Sequence, residues 1–406
     1  MPPMTGTERA VGPAAAQQFD DIETTLAWFR RMRAEDPVSH DQETGVWYVF
    51  RYAEAVQVLG DPDTFSSDFS GLTSAQEDVD LFSRGNIVRM DPPQHRKLRT
   101  LVAKAFTPRV VARLEPRIAA ITGELLDAMK GSDRTELISG LAYPLPVIVI
   151  TELLGIPAED RATFRRWAEA LVSPEGQSGL VPNEQRVRSM ATVMREMNPY
   201  SLDHIRSRRA APKDDLISRL VAAEVDGQRL DDAEMVGFVS LLLLAGHITT
   251  TVLLGNSVLC LADHPEAAAA LRADPSGLPT LIEEVLRYRA PLAPTTRRTA
   301  REARIGEHTV PADQVVVTWL ASANRDERQF DEPDRFDFRR RPNPHLSFGQ
   351  GIHFCLGAPL ARLEARIALE AMLGRWSDFT AGPGVEFHDP RGIFGPRRLP
   401  LHLRWA

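Results

Sequence analysis

Cysteine is almost missing from this chain: Cys260 and Cys355 are the only two in 406 residues. Two cysteines build no disulfide framework, so a reducing, cytoplasmic setting is expected. No CxxC or HxxxH pair occurs, and a four-ligand zinc site has no basis. Positive charge is not in excess either. The 48 Lys and Arg face 55 Asp and Glu, a net charge of −7, which argues against a nucleic-acid binder. No GxGxxG follows a strand pattern, so no nicotinamide- or flavin-binding segment is visible. The opening stretch, MPPMTGTERAVGPAAAQQ, lacks a basic start and a continuous apolar core and does not read as a signal peptide. Residues 1–17 are expected as a flexible tail and 18–406 as one domain.

Long apolar runs are also absent, with one exception. Val236 to Ala262, VGFVSLLLLAGHITTTVLLGNSVLCLA, is long enough to cross a bilayer. It carries Ser240, His247, three threonines, Asn256 and Ser257, and no Lys/Arg cluster flanks it. A helix apolar all round is equally the axis of a large folded core, and that is the reading adopted, with no membrane partner. Most of the remaining chain patterns as helix, at Gln94–Ala105, Val110–Met129, Glu159–Val172, Asp214–Ala223, Asp232–Ala262 and Leu278–Arg289. Asp231 and Glu234 are spaced as a capping box ahead of the apolar helix, and Pro359 suits the first turn of another. Short strand patterns fall at Gly45–Arg51, Ala303–Ile305, Gln314–Thr318 and Leu399–Leu403. The fold class expected is mainly α, a single large helical domain with a small β-rich side region.

What the sequence does contain is the stretch HLSFGQGIHFCLG, residues 345–357, which sets one of the two cysteines among Gly349, Gly351 and Gly357. Cys355 has three readings. A core cysteine needs no such glycines. A nucleophile needs a base, and His353 is near, but the glycines would serve nothing. The third reading is a metal with one protein ligand and its remaining positions filled by a cofactor, which haem iron satisfies. Backbone N–H groups and a helix N-terminus near Leu356 would hold a thiolate there, and Phe348 would shield it. Cys260, among apolar neighbours, reads as core packing.

FGQGIHFCLG resembles the cysteine-loop signature of the cytochrome P450 family, F-x-x-G-x-x-x-C-x-G, through Phe348, Gly351, Cys355 and Gly357. Further motifs follow in the family's order. Glu284 and Arg287 in EEVLRY resemble its E-x-x-R, with Arg340 as the third member of a structural cluster; taken alone such a pair is usually a surface salt bridge. His95 and Arg99 in DPPQHRKLR resemble the pair that grips a haem propionate, with Arg298 and His353 as further propionate partners and Arg297 beside Arg298 as the other candidate. In LLLLAGHITTT, Ala245, Gly246 and Thr249 match the oxygen-handling motif of the axial helix, but its acid position holds Ile248. Protons would then arrive through water, His247, Thr250 or a substrate hydroxyl.

The resemblance implies haem b bound by the Cys355 thiolate and a monooxygenase acting on a small molecule. A distal pocket would be lined by Ile87, Val88, Leu171, Val172, Leu180, Leu243, Leu244, Ala293, Pro294, Ile393 and Phe394. These are mostly aliphatic, which suits an apolar or polyoxygenated substrate such as a polyketide, macrolide or terpenoid. SPEGQSGLVPNE reads as a lid segment. With no reductase segment in the chain, a ferredoxin-type donor with a separate reductase is implied. It would dock on a basic face of Arg96, Lys97, Lys104, Arg109, Arg362 and Arg366. The protein is expected to be a monomer. Two alternatives stay open: a haem-thiolate enzyme with peroxide-driven or non-inserting chemistry, and a non-catalytic scaffold that activates a partner.

Overall fold

A computed structural model describes residues 21–70, 77–172 and 184–406. The expected tail therefore lies outside the described residues, as do Leu180 and nearly all of the expected lid. At the centre runs the axial helix, Asp232–Asp263, 32 residues long. Its N-terminus carries the expected capping box: Glu234 N donates to Asp231 Oδ1 at 2.7 Å and Asp231 N to Glu234 Oε2 at 3.0 Å. Most of its apolar length is buried by other helices, among them Glu77–Ser83, Pro144–Leu154, Glu184–Ala210, Leu278–Tyr288 and Ala358–Arg375. One crossing depends on glycine. A Cβ on Gly237 would sit 2.4 Å from Gly85 N and Phe82 O, and one on Gly85 would sit 2.1 Å from Glu234 O, so the backbones touch directly.

The helices fall close to their expected bounds, with two breaks. The run expected over Val110–Met129 is two helices, Pro108–Ala112 and Glu115–Met129, the second restarting with Pro116 in its first turn. Glu159–Val172 divides into a single 3₁₀ turn, Ala158–Asp160, and Arg161–Val172. Glu184–Ala210 is a 27-residue helix that tolerates Pro199 inside it.

The β structure stands to one side. Its largest sheet has five strands in the order Val38–Asp41, Val46–Val49, Val315–Trp319, Pro294–Thr299 and Phe65–Ser66. Only the Val46–Val49/Val315–Trp319 pairing is parallel. A three-stranded sheet joins Arg134–Glu136, Pro400–Trp405 and Trp376–Ala381. Against the larger sheet Trp28, Phe29, Phe50 and Trp319 pack edge-on, tilted and, for Phe50 with Trp319, stacked, at centroid separations of 5.1–6.4 Å. Phe394 and Ala293, 1% and 0% exposed, belong to this aromatic core. Their expected place in a substrate pocket is corrected accordingly: apolar side chains beside a pocket and behind it look alike in sequence.

Candidate active site

The cysteine loop is a tight, backbone-tied turn. Cys355 N donates to Phe348 O at 2.8 Å and Gly349 N to Leu346 O at 2.8 Å. Gly349 and Gly351 take φ of +70° and +68°, and a Cβ on Gly351 would lie 2.9 Å from Leu59 O. Gly357 differs: its φ is −81° and an added Cβ would meet only Cys355 Sγ, at 3.9 Å. Cys355 is solvent-accessible, whereas Cys260 is buried in the main core with its thiol pushed up to about 11 by burial. Although Cys355 is exposed, the protein packed around its thiol desolvates it and pushes it up. Backbone N–H groups of Gly357 and Ala358, then the cations Arg99 and Arg362, oppose that shift.

Behind the loop Glu284 and Arg287 form a bidentate pair at 2.8 Å, and neither side chain is exposed. Arg340 Nε completes the cluster 3.2 Å from Glu284, which also accepts from Asp337 N and Asn343 Nδ2. Arg287 donates to the carbonyls of Asn324, Pro333 and Arg335. Asn324 carries the connection onward, accepting from Leu346 N at 2.7 Å and donating to Ser347 Oγ at 2.8 Å. The ionic cluster thus anchors the start of the cysteine loop.

A second cluster is cationic. The His95 and His353 rings meet at a tilt, 4.4 Å between centroids, with Arg99 and Arg297 close enough to bias the His353 ring. Burial, then Arg297, His95 and Arg99, drive His353 down to about 3. Burial also lowers His95 and brings Arg297 to about 10. Among the described residues the Arg297 side chain donates only to Thr295 and Thr296, and His95 Nε2 is buried with no partner. One carboxylate, Asp91, acts on this group, and it is held by Ser66 Oγ and Ser67 N. Arg298 is turned away to Asp313, 3.8 Å distant, which corrects its expected role in favour of Arg297. The reason is the strand: adjacent residues of Pro294–Thr299 face opposite sides of the sheet.

On the axial helix Ala245 is exposed, with Gly246, Ile248 and Thr249 partly so. Thr249 Oγ1 donates to Ala245 O at 3.0 Å. A Cβ on Gly246 would make only ordinary contact with Ile150, at 3.6 Å, so close packing does not demand glycine there. His247 and Thr250 do not share this open face. His247 is buried, its Nδ1 2.7 Å from Leu243 O and its ring edge-on to Tyr143. Thr250 Oγ1 is buried and donates to Gly246 O at 3.3 Å. Each step along a helix rotates about 100°, so residues two before and one after Thr249 point elsewhere. Both are corrected as proton carriers.

The family model described as cytochrome P450 matches residues 178–275 and 278–390. Cyclomarin C epoxidase CymV of Salinispora arenicola is 45% identical over 395 residues, covering 97% of this chain and all of that one. The chain belongs to the cytochrome P450 family. Erythromycin C-12 hydroxylase of Saccharopolyspora erythraea is also 45% identical, over 94% of this chain and 95% of its own. The solved structure of cytochrome P450 TbtJ1 superposes with a TM-score of 0.85 at 47% identity, covering 94% of this chain and 98% of that one.

Cytochromes P450 bind haem b through a cysteine thiolate, act as monooxygenases on small molecules and draw electrons from redox partners. The residues here fit that cofactor. Cys355 is an exposed residue on a glycine-shaped loop, and the buried Arg297, the half-buried Arg99 and the orphaned His95 Nε2 call for anionic groups such as propionates. The large apolar side chains exposed among the described residues are Val88 at 50%, Leu292 at 41% and Phe354 at 42%, all on segments next to these motifs. Val88, expected as pocket lining, is one of these exposed side chains; Phe354, which adjoins the cysteine, was not singled out in the sequence.

The remaining pocket residues divide. Leu243, Leu244 and His247 line a recess with Ile150, Phe164 and Trp167. Ile87 is buried in the main core, Pro294 is half-buried, and Ile393 bridges to Leu292 through the backbone. Leu171 and Val172 end the helix Arg161–Val172, but their side chains lie outside what is described. The expected basic face is largely paired: Lys97 with Glu234, Arg362 with Glu283, and Arg366 with Glu115 and Glu370. Lys104 donates to Glu224 O, while Arg96 and Arg109 are exposed. Sequence reasoning missed Ser67, whose Oγ lies 3.0 Å from His353 Nε2 and which carries no motif, and passed over Asp91, which opens the stretch DPPQHRKLR.

Proposed function

We propose that this cytochrome P450 tailors a natural product, inserting one oxygen atom from O2 into an apolar or polyoxygenated polyketide, macrolide or terpenoid-like molecule, with Cys355 as the iron ligand. The observation that carries the assignment of Cys355 is its place, as an exposed residue, in a loop tied back to the Glu284–Arg287–Arg340 cluster. Arg99, Arg297, His95 and His353 would hold the propionates: Arg297 and His95 are buried, Arg99 and His353 half-buried, all can donate, and His95 Nε2 has no partner among the described residues. When bound, the haem supplies dioxygen activation, favoured by an electron-donating thiolate.

The chain's own residues then bind and orient. Thr249 offers a hydroxyl on the open face of the axial helix, and Ile248 beside it offers no proton. Since His247 and Thr250 are turned away, water or a hydroxyl of the substrate completes the proton path in this reading. The substrate lies against Val88, Leu292, Ala245 and Leu244. Relatives named as an epoxidase and a macrolide hydroxylase support a tailoring role. Electrons come from a ferredoxin with its own reductase. We place the enzyme in the cytoplasm as a monomer, without membrane or nucleic-acid contact; the burial of the axial helix supports the absence of a membrane span.

The test is a spectral-shift screen of macrolide, cyclic-peptide and terpenoid precursors on the purified haem protein, followed by turnover with a ferredoxin chain. A precursor that shifts the haem spectrum and gains one oxygen supports the reading. Turnover that runs only with peroxide, or yields product without added oxygen, overturns it in favour of the alternative chemistry.

A further inference from the structure

Glu283, next to the buried Glu284, builds a separate charge pair on the cysteine loop. Arg362 donates from Nε and Nη2 to the two Glu283 oxygens, both at 2.7 Å. Its guanidinium lies over the Phe348 ring, Cζ 4.5 Å from the centroid. Phe348 in turn accepts the Cys355 N–H through its carbonyl. His345 Nε2 stands 3.1 Å from Glu283, and its Nδ1 accepts from Ser347 N at 3.3 Å. Arg362 makes the two-point contact with Glu283, and His345 a single one. The pair is only partly exposed, with side chains 37% and 28% accessible, so solvent screens it incompletely. Arg362 thus lies against the one residue whose carbonyl holds the Cys355 N–H.

We propose that Arg362 and Glu283 are positioning residues that set the one-electron reduction potential at Cys355-ligated haem, the arginine raising it and the carboxylate lowering it. This rests on Cys355 being the thiolate ligand. Reduction adds one electron to the ferric site and makes or breaks no bond there. A nearby cation favours the state with more negative charge, and an anion opposes it. Glu283 also fixes Arg362 against Phe348, so the pair holds the cation in place while moderating its effect. Arg362 is thereby assigned to tuning and not to partner docking.

The experiment is spectroelectrochemical titration of the purified haem protein with dithionite and mediator dyes, recording the reduced carbon monoxide spectrum of every variant. Arg362→Met is expected to lower the equilibrium constant for reduction about tenfold, which is about 59 mV for one electron. Glu283→Gln is expected to raise it, the double variant to return near the unmodified value, and Arg362→Lys to fall between. Shifts of both single variants in one direction, as a loosened loop would produce, overturn the proposal. So does an unmoved potential in Arg362→Met with slower reduction by ferredoxin, which would make Arg362 a docking residue. Should Arg362→Met fail to hold haem, a potential in Glu283→Gln that is unmoved or lowered is sufficient refutation. Absence of a thiolate-type band in the unmodified protein would overturn the ligand assignment instead.

Discussion

Replacing Glu284 by Gln removes one charge and almost no volume. The carboxylate lies 2.8 Å from two Arg287 nitrogens and 3.2 Å from Arg340 Nε, with Glu284 and Arg287 both 0% exposed. Glutamine keeps an acceptor for Asp337 N, so the loss is chiefly electrostatic. Arg287 cannot deprotonate and stays bound to the carbonyls of Asn324, Pro333 and Arg335, a buried cation without its counter-ion. Breaking a buried pair on one side costs about 3–5 kcal/mol, a large part of a typical ~5–15 kcal/mol total. Asn324 also holds Leu346, so the loss should reach the cysteine loop. Urea denaturation followed by far-ultraviolet circular dichroism and by haem absorbance gives both numbers. A cost below about 1 kcal/mol with unchanged haem retention would refute the buttress argument.

Three further outcomes follow from the geometry. Arg297→Met should speed haem transfer to apomyoglobin about 10- to 100-fold, the range for losing a hydrogen bond to a charged group, whereas Arg298→Met should leave it near the starting rate. Glu364, fully buried on the helix after the loop, has its carboxyl pushed up by burial to about 8. The folded state thus retains a proton that the unfolded state loses above its ordinary value of 4.5, so stability falls as pH rises from there to about 8. Glu364→Gln should flatten that slope, by at most about 1.4 kcal/mol per pH unit; an unchanged profile in urea denaturation would contradict it. Thr249→Ala should lower the product formed per NADPH consumed and Ile248→Glu should raise it, both measured with the same ferredoxin chain.

Local spacing made the cysteine loop, the Glu284–Arg287 pair and the axial helix legible, because each is a contiguous pattern with a local mechanism. Its capping box is an example: two residues three apart satisfy each other's backbone. What escaped was orientation. Arg297 and Arg298 are neighbours of one chemistry, and only the pairing of Pro294–Thr299 with Val315–Trp319 decides which one faces His353. His247 reads as a proton carrier until the helical phase puts it against Tyr143. Ala293 and Phe394 are apolar in a pocket and in a core alike, and the aromatic cluster that claims them is assembled from segments hundreds of residues apart. Arg362 was visible as a surface cation, but its bond to Glu283 joins two helices 79 positions apart and leaves no trace in spacing.

The most direct measurement is the absorbance of the reduced, carbon monoxide-treated protein beside its Cys355→Ser and Cys260→Ser variants. We predict a thiolate-type band in the unmodified protein and in Cys260→Ser, and its loss in Cys355→Ser. A folded, haem-replete protein without that band, or one that loses it with Cys260 and keeps it without Cys355, would contradict the account.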